Sequence, residues 1–272
     1  MIKIYLSGGL GNNLFQIYLA SLLEKKGKEI IFADNLLTRN IATKFLNWSI
    51  HENQLNELNI ETKKINFVEF YFDMAILFLS KIFSAKIYKY FYDSNHLNDM
   101  NYENILNYFD EIKVISGYFQ YPSLIREGDL KLLKTKLSIG NKIHKNNKKV
   151  IHLRGGDLLN QNSKLNQYYL NCIEQLGFDQ EYTLITNDIN FRESFLNKNN
   201  KFTFKNKTNV RAIDDFIYMM SCNNLVCSYS TFSLWAGLLG DHQSVFIPIF
   251  EDDNFFSKKA MISLPKRFIL TP

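Results

Sequence analysis

The chain has 272 residues, 46% of them hydrophobic and 22% charged, which suits one large domain or two smaller lobes. With 23 phenylalanines, 15 tyrosines and only four prolines, the composition excludes long disordered stretches and Pro-rich linkers. The formal net charge is +5 and the lysines are scattered along the sequence, so a solvated basic surface is favoured over a nucleic-acid-binding patch.

The N-terminal segment predicts a strand, a glycine-rich loop, a helix and a second strand. Ile2–Leu6 is a short apolar strand, and Ser7–Asn13 (SGGLGNN) forms the loop. Helical periodicity follows over Leu14–Gly27, and Glu29–Asp34 is the next strand, an order typical of an α/β layer. The loop amides, beside a helix N-terminus, can bind an anion. Because the loop matches neither a Walker A motif nor the dinucleotide fingerprint, a tight turn without a ligand is an equal alternative.

The rest of the first half is rich in aromatic residues. Asn66–Asp93 is interrupted by lysines and predicts a helical insertion whose apolar faces complete the core of the first lobe. An amphipathic patch resting on a membrane is the alternative. Lys113–Ile125 predicts a strand, a turn and a short helix, and the polar segment 140–149 is the linker candidate. We therefore predict two lobes, 1–145 and 146–272.

The second half alternates apolar strands with helices, which predicts a parallel sheet with right-handed crossovers. The predicted strands are 149–155, 182–188, 224–230 and 244–249, and the predicted helices are 166–177, 190–198, 214–222 and 230–240. In open parallel sheets, ligands bind at the carboxyl ends of the strands. Polar clusters follow four of the strands of the two lobes and are the candidate ligand sites: Gly8–Asn13, His152–Asp157, Thr186–Asp188 and Ser228–Ser233.

Three of these clusters carry groups suited to a nucleotide diphosphate. Arg154, in HLRGGD, can bind a diphosphate through two N–H groups, and a structural Arg–Asp pair is its alternative. The hydroxyls of Ser228–Ser233 form a second anion site, or a plain N-cap, at the start of a helix. The carboxylate of Asp188 can accept from the ring N–H groups of guanine, and capping the next helix is equally plausible.

Other kinds of site find little support in the sequence. It has no DxD motif, no metal-ligand spacing and no G-x-S-x-G motif, so neither a metal site nor a nucleophilic serine is expected. Its three cysteines form no CxxC pair, which indicates a reducing compartment. It shows neither a signal-peptide run nor a window of 18 uninterrupted apolar residues, so we expect a cytoplasmic protein without a transmembrane segment.

Five blocks together resemble glycosyltransferase family 11, the α-1,2-fucosyltransferases, and they span nearly the whole chain. They are GGLGNNLFQ from Gly8, GYFQ from Gly117, HLRGGD from His152, ITNDINF from Ile185 and DDFIYMMSCNNLVCSYSTFSLWAGLL from Asp214, the last being the most specific. The resemblance implies an α/β, GT-B-like fold with two Rossmann-like lobes. It also implies GDP-L-fucose as the donor, inversion at the anomeric carbon, and no metal or other cofactor.

The resemblance assigns the GDP-sugar to the second lobe and the acceptor mainly to the first. Arg154 would hold the diphosphate and stabilise it as the leaving group. Asp157 is the nearest candidate for a general base, with orienting Arg154 or capping a helix as its alternative role. The implied GDP-sugar-binding residues are Gly9, Gly11, Asn12, His152, Arg154, Asn187, Asp188, Ser228, Ser230, Thr231 and Phe232.

The chain departs from the family pattern at three positions. Gly155 replaces a second arginine, Leu158 an aromatic residue, and Leu234 the first tryptophan of a pair. We expect transfer of L-fucose to O2 of a galactose in an O-antigen or oligosaccharide acceptor. If the acceptor is lipid-linked, the enzyme would work at the inner face of the membrane. The departures leave two alternatives, another GDP-deoxyhexose such as GDP-colitose, and a GDP-sugar-binding protein without catalysis.

Overall fold

A computed structural model of the chain describes residues 1–37, 54–82, 89–92, 102–154, 162–177, 181–186, 188–199, 202–207, 211–250, 253 and 255–272. The chain divides into two compact units, Met1–Ser138 and Ile139–Pro272. This division lies upstream of the boundary predicted at 145–146. Between the two boundaries, the ammonium of Lys145 pairs with Asp241 at 3.1 Å, which ties the end of the predicted first lobe to the second unit.

The first unit is built on a four-stranded parallel sheet with the order β2-β1-β4-β3. Its strands are β1 (Ile2–Tyr5), β2 (Ile30–Ala33), β3 (Tyr90–Tyr92) and β4 (Val114–Ser116). Its α-helices are Leu10–Lys25, Phe67–Ile82, Tyr102–Tyr108 and Glu127–Lys136, with 3-10 turns at Asn35–Leu37, Leu55–Leu58 and Pro122–Leu124. The central strand β1 is buried along its whole length, as expected for a strand covered on both faces.

The aromatic segment of the first unit is only partly helical. Phe67–Ile82 forms the predicted helix, but Tyr90–Tyr92 is a short strand at the sheet edge, paired with β4. Aromatic residues favour strands where one face can be buried, and Phe91 packs edge-to-face against Phe109 with ring centroids 5.4 Å apart. Burial of the Phe91 ring therefore favours a strand rather than a helix at Tyr90–Tyr92.

The second unit is built on a six-stranded parallel sheet with the order β7-β6-β5-β8-β9-β10. Its strands are β5 (Lys149–His152), β6 (Glu181–Ile185), β7 (Thr203–Lys207), β8 (Asn224–Val226), β9 (Ser244–Pro248) and β10 (Phe268–Thr271). Its α-helices are Asn162–Leu176, Ile189–Lys198, Ala212–Ser221, Thr231–Leu239 and Lys258–Met261, with a 3-10 turn at Gly140–Lys142. The predicted fold class, α/β of the GT-B-like type with a Rossmann-like parallel sheet in each unit, is confirmed.

Strand order places a topological switch point in each unit. In the second sheet the chain runs outward from β5 to β7 on one side and from β8 to β10 on the other, so β5 and β8 are neighbours at the switch point. Ile151 in β5 is in register with Leu184 of β6 and Val226 of β8, and all three are buried. In the first sheet, β1 and β4 are the corresponding neighbours. Ligands of doubly wound sheets bind beyond the carboxyl ends of such strand pairs.

Candidate active site

Beyond β5 and β8, the second unit brings together four of the predicted site residues, which we call the arginine cluster: His152, Arg154, Ser228 and Ser230. The Nδ1 atom of His152 lies 2.7 Å from the hydroxyl of Ser228. The Nη1 atom of Arg154 donates to the hydroxyl of Ser230 at 3.0 Å. Two segments that are distant in sequence therefore form one polar surface at the switch point.

His152 is neutral at physiological pH. Its side chain is buried, and burial, followed by the positive charge of Arg154, lowers its pKa to about 3. The neutral ring is fixed by the fully buried Ser228, whose own amide N–H donates to the hydroxyl of Ser233 at 3.1 Å. The imidazole therefore contributes a hydrogen-bonding group and shape to the site rather than a second positive charge.

Arg154 lies at the N-terminal end of the helix Thr231–Leu239. Ser230 is the N-cap of this helix, and its hydroxyl accepts both from the guanidinium and from the amide N–H of Phe232 at 3.2 Å. A helix N-terminus carries a partial positive charge. The half-buried guanidinium and the helix dipole therefore both favour a negatively charged group at this position. This corner of the second unit is therefore suited to an anion.

Aromatic rings lie beside the arginine cluster. The half-buried ring of Phe232 packs between His152 and Phe216, with centroid distances of 5.7 and 5.4 Å. Thr231, also half-buried, is the first residue of the same helix. An apolar ring next to hydroxyls and a cation is the combination expected where a base or sugar lies next to a phosphate.

Asp188 follows β6 and caps the helix Ile189–Lys198. Its Oδ1 atom accepts from the amide N–H of Phe191 at 2.9 Å, and its own amide N–H donates to the hydroxyl of Thr186 at 3.0 Å. The capping alternative weighed for this residue is thus present in the structure, and it leaves the second carboxylate oxygen for other contacts. The other two acidic or amide candidates, Asp157 and Asn187, lie outside the described residues, as does Gly155.

Tyr229 and Asp253 belong to the same region and were not predicted as site residues. The hydroxyl of Tyr229 donates to Asp253, whose Oδ1 atom also accepts from the amide N–H of Phe255 at 2.7 Å. Burial and the bond to Asp253 raise the pKa of Tyr229, while the positive charge of Arg154 opposes the shift, which places the phenol near the guanidinium. The only sequence signal for Tyr229 was its place between two predicted serines.

The first unit holds a second cluster beyond β1 and β4, which we call the amide cluster: Ser7, Asn13, Gln16 and the backbone of Gly117. The side chain of Gln16 donates to the carbonyl of Gly117 at 2.6 Å and accepts from the amide N–H of Ser7 at 3.3 Å and from Asn13 at 3.1 Å. Asn13 also donates to the carbonyl of Ser7 at 2.9 Å. The three side chains are buried, so these bonds hold the two strand ends together.

The predicted glycine loop is shorter than the sequence indicated. The helix begins at Leu10, with Gly9 as its N-cap in extended conformation, so Gly11 and Asn12 lie in its first turn. Gly8 has a φ of +78°, and a Cβ atom there would lie 2.5 Å from Nδ2 of Asn12, so this position requires glycine. Asn12 in turn accepts from Gln120 at 2.7 Å, which joins the GGLGNN and GYFQ blocks within the first unit.

Among the described residues, no group of three or more His, Cys, Asp or Glu side chains could hold a metal ion. Within the same ranges, no helix is both long enough and apolar enough to cross a bilayer.

Comparison with known proteins agrees with the five sequence blocks. The model of glycosyl transferase family 11 matches residues 1–266, which confirms the resemblance. The O-antigen biosynthesis glycosyltransferase WbnK of Escherichia coli is 25% identical, over 89% of this chain and 91% of the relative. Similar solved structures include the fucosyltransferase NodZ from Bradyrhizobium, at 12% identity, 90% and 94% coverage and a TM-score of 0.48. The E. coli heptosyltransferase WaaC is another, at 10% identity, 99% and 92% coverage and a TM-score of 0.45.

Proposed function

The chain belongs to glycosyl transferase family 11, and on that premise we propose that it transfers L-fucose from GDP-L-fucose to O2 of a galactose in a glycan. The transfer inverts the anomeric carbon and requires no metal ion. The observation that supports this proposal most directly is the position of Arg154, bonded to the N-cap Ser230 at the switch point of the second sheet.

The leaving group of such a transfer is a diphosphate, and its negative charge grows as the sugar departs. In the absence of a metal, this charge must be stabilised by fixed positive groups and N–H donors that are in place before the reaction. The guanidinium of Arg154 and the N-terminus of the helix Thr231–Leu239 are two such groups on one surface. We assign to Arg154 the binding of the diphosphate and the stabilisation of the leaving group.

The neighbouring side chains suit the nucleotide. The neutral imidazole of His152, held by Ser228, orients the nucleotide by hydrogen bonding, and the ring of Phe232 provides an apolar surface for the base or sugar. Asp188, which caps its helix through Oδ1, can accept from guanine through its other carboxylate oxygen. We propose these three as GDP contacts, together with the hydroxyls of Ser230 and Thr231.

Several assignments rest on the sequence blocks alone. Asp157 as general base and Asn187 as a donor contact are predictions for positions outside the described residues. For Gly9, Gly11 and Asn12, contact with the donor likewise remains a prediction from the GGLGNN block.

The acceptor we propose is an O-antigen or related oligosaccharide. The support for this is the similarity to WbnK, whose name assigns it to O-antigen biosynthesis. Carriers of such glycans are often lipids, so a lipid-linked acceptor at the inner face of the membrane is compatible with the proposal. The position of Gly155, where the family has a second arginine, keeps GDP-colitose as the alternative donor.

The test is GDP release from purified protein supplied with GDP-fucose or GDP-colitose and a panel of β-galactosides, with and without a chelator. We expect turnover with GDP-fucose, an α-1,2-linked product by NMR, and no loss of rate in the chelator. Binding of GDP-fucose without turnover on any galactoside would mean a sugar-nucleotide-binding protein rather than an enzyme. Turnover with GDP-colitose alone would overturn the donor, and a rate abolished by the chelator would overturn metal independence.

A further inference from the structure

The helix Phe67–Ile82 of the first unit has two acidic residues, of which Asp73 is buried and Glu69 is exposed. Asp73 is 2% exposed and accepts from the hydroxyls of Tyr5 at 2.7 Å and Tyr90 at 2.9 Å. The ammonium of Lys3, on the adjacent strand β1, binds both Asp73 and Glu69. The two carboxylates of the helix are therefore neutralised by a cation of the sheet, and the bonds fix the rotation of the helix about its axis.

The opposite face of the same helix is apolar and exposed. Phe67, Val68, Phe72, Leu79 and Ile82 expose 74, 77, 61, 43 and 56% of their surface. Val68, Phe72, Leu79 and Ile82, together with the exposed alanine at position 75, recur every three or four residues and so form one stripe. From Val68 to Ile82 the stripe is about 21 Å long, at 1.5 Å rise per residue. The inward face of the helix is apolar as well, with Phe70, Met74 and Leu77 buried in the core. The helix is therefore apolar on two faces, whereas a surface helix normally carries polar and charged residues on its outer face.

Other exposed apolar side chains are scattered singly. Ten large hydrophobic residues are exposed in the described part of the chain, and five of them lie on this one helix. Leu132, Ile189 and Ile262, at 49, 62 and 74% exposure, lie in three separate parts of the chain. Single exposed hydrophobic residues are ordinary, whereas a contiguous apolar patch indicates an interaction site.

The charges around the stripe are mainly positive. Between residues 61 and 93 the sequence has five lysines and four acids. Two of the acids, Glu69 and Asp73, bind Lys3, which leaves the five lysines against two acids. Lys63 and Lys64 are exposed just before the helix begins. An uncharged apolar stripe flanked by lysines has the chemistry of a segment lying at the surface of an anionic bilayer, where apolar side chains enter the headgroup boundary and cations meet lipid phosphates.

We propose that the face of Phe67–Ile82 formed by Val68, Phe72, Leu79 and Ile82 docks onto the surface of a bilayer that contains anionic phospholipid. A second copy of the chain is a poorer occupant, because a symmetric dimer would bring the flanking lysines of both copies together. The stripe also lacks the polar groups of a protein interface, which has about one hydrogen bond per 100–200 Å². The proposal concerns this surface and does not depend on which sugar nucleotide the second unit binds.

The test is co-sedimentation of the full chain with phosphatidylcholine vesicles, with and without phosphatidylglycerol. The wild type should bind the vesicles that contain phosphatidylglycerol and release them as the salt concentration rises. Phe72→Ser with Leu79→Ser should weaken this binding by at least about tenfold. Charge reversal by Lys63→Glu with Lys64→Glu should weaken it to a similar degree, again about tenfold.

The control is Leu132→Ser with Ile262→Ser, which removes two comparably exposed side chains elsewhere and should leave vesicle binding unchanged. Melting curves of all variants should match that of the wild type, since no buried side chain is altered. Failure of the wild type to bind phosphatidylglycerol vesicles, or equal binding by the stripe variant, would overturn the proposal. A dimer in solution that the stripe variant converts to a monomer, with vesicle binding absent, would assign the face to a second copy instead.

Discussion

The polar side chains that follow the switch-point strands differ in chemistry between the two units. Beyond β1 and β4, the amide cluster consists of the buried side chains of Ser7, Asn13 and Gln16, which bond to one another and to Gly117. Beyond β5 and β8, the arginine cluster places a half-buried guanidinium at a helix N-terminus. The polar clusters of both sheets follow strand ends at a switch point, but of the two only the arginine cluster contains a charged side chain.

This difference separates a polar cluster that stabilises the fold from one that we propose binds the donor. A buried amide whose hydrogen bonds are satisfied within the protein holds its neighbours in place, and removing it leaves buried partners unsatisfied. A half-buried cation bonded to an N-cap can still contact an anion from solution. We therefore expect substitutions in the amide cluster to lower stability, and substitutions in the arginine cluster to lower activity.

The largest effect should come from Arg154→Ala. Removing a positive group that stabilises the leaving group should lower the rate of GDP release by at least about a hundredfold, or about 2.7 kcal/mol of transition-state stabilisation. The melting temperature should change little. The matched control is Arg211→Ala, which removes an exposed arginine paired with Asp214 in the same unit and should leave the rate unchanged. A fully active Arg154→Ala enzyme would contradict the proposed role.

Gln16→Leu should have the opposite effect, with a large loss of stability. The substitution keeps the size of the side chain but leaves the amide of Ser7 and the carbonyl of Gly117 buried without their partner, which should lower the free energy of unfolding by about 2.5 kcal/mol. Gln167→Leu is the control, since its exposed side chain bonds only to the nearby Asn171 among the contacts seen. Urea unfolding of both variants measures the difference, and equal midpoints would refute the structural role of the amide cluster.

The sequence predicted the central strands of both sheets and the edge strand β2, and it missed the edge strands β3, β7 and β10. Central strands of a parallel sheet are buried on both faces and form continuous apolar runs, as at Lys149–His152 and Ser244–Pro248. The strands Thr203–Lys207 and Phe268–Thr271 lie at the two edges of the second sheet, where one side has no neighbouring strand. Polar residues are tolerated there, so β7 (TFKNK) has no apolar run to reveal it.

The sequence predicted the candidate site as separate clusters, but it did not predict the hydrogen bonds that join these clusters. Local pattern placed His152, Arg154, Ser228 and Ser230 at strand ends. In the structure His152 is the last residue of β5, and the other three follow β5 or β8. The bonds between them join residues 76 positions apart and exist because β5 and β8 are neighbours, which no local pattern encodes. Likewise, the helix begins at Leu10 although its first turn contains glycine and asparagine, which have low helix propensity. Its early start depends on hydrogen bonds that Asn13 and Gln16, in the first two turns, make outside the helix.

His152→Gln tests whether the imidazole is neutral. Its pKa of about 3 in the folded protein lies below the ordinary value of 6.5, so between these values the unfolded chain binds a proton that the folded chain does not. The wild type should therefore lose stability as the pH falls below 6.5, by about 2 kcal/mol at pH 5 from this group alone. In His152→Gln this part of the pH dependence should disappear. His144→Gln, at an exposed position, should retain it.

The smallest effect should come from Ser230→Ala, and it separates capping from positioning. Ser230 and Ser257 are both N-caps that accept from an amide N–H, at 3.2 Å in each case, so replacing either by alanine should cost about 1 kcal/mol of stability. Only Ser230 also accepts from Arg154.

Ser230→Ala should therefore also lower the rate of GDP release about fivefold, because the guanidinium of Arg154 becomes less ordered, which corresponds to roughly 1 kcal/mol. Ser257→Ala should leave the rate unchanged. Ser230→Thr should restore both properties, because it keeps the hydroxyl. If both alanine variants slow the enzyme equally, the rate follows helix stability rather than the position of Arg154, and the contrast between the two clusters would rest on charge alone.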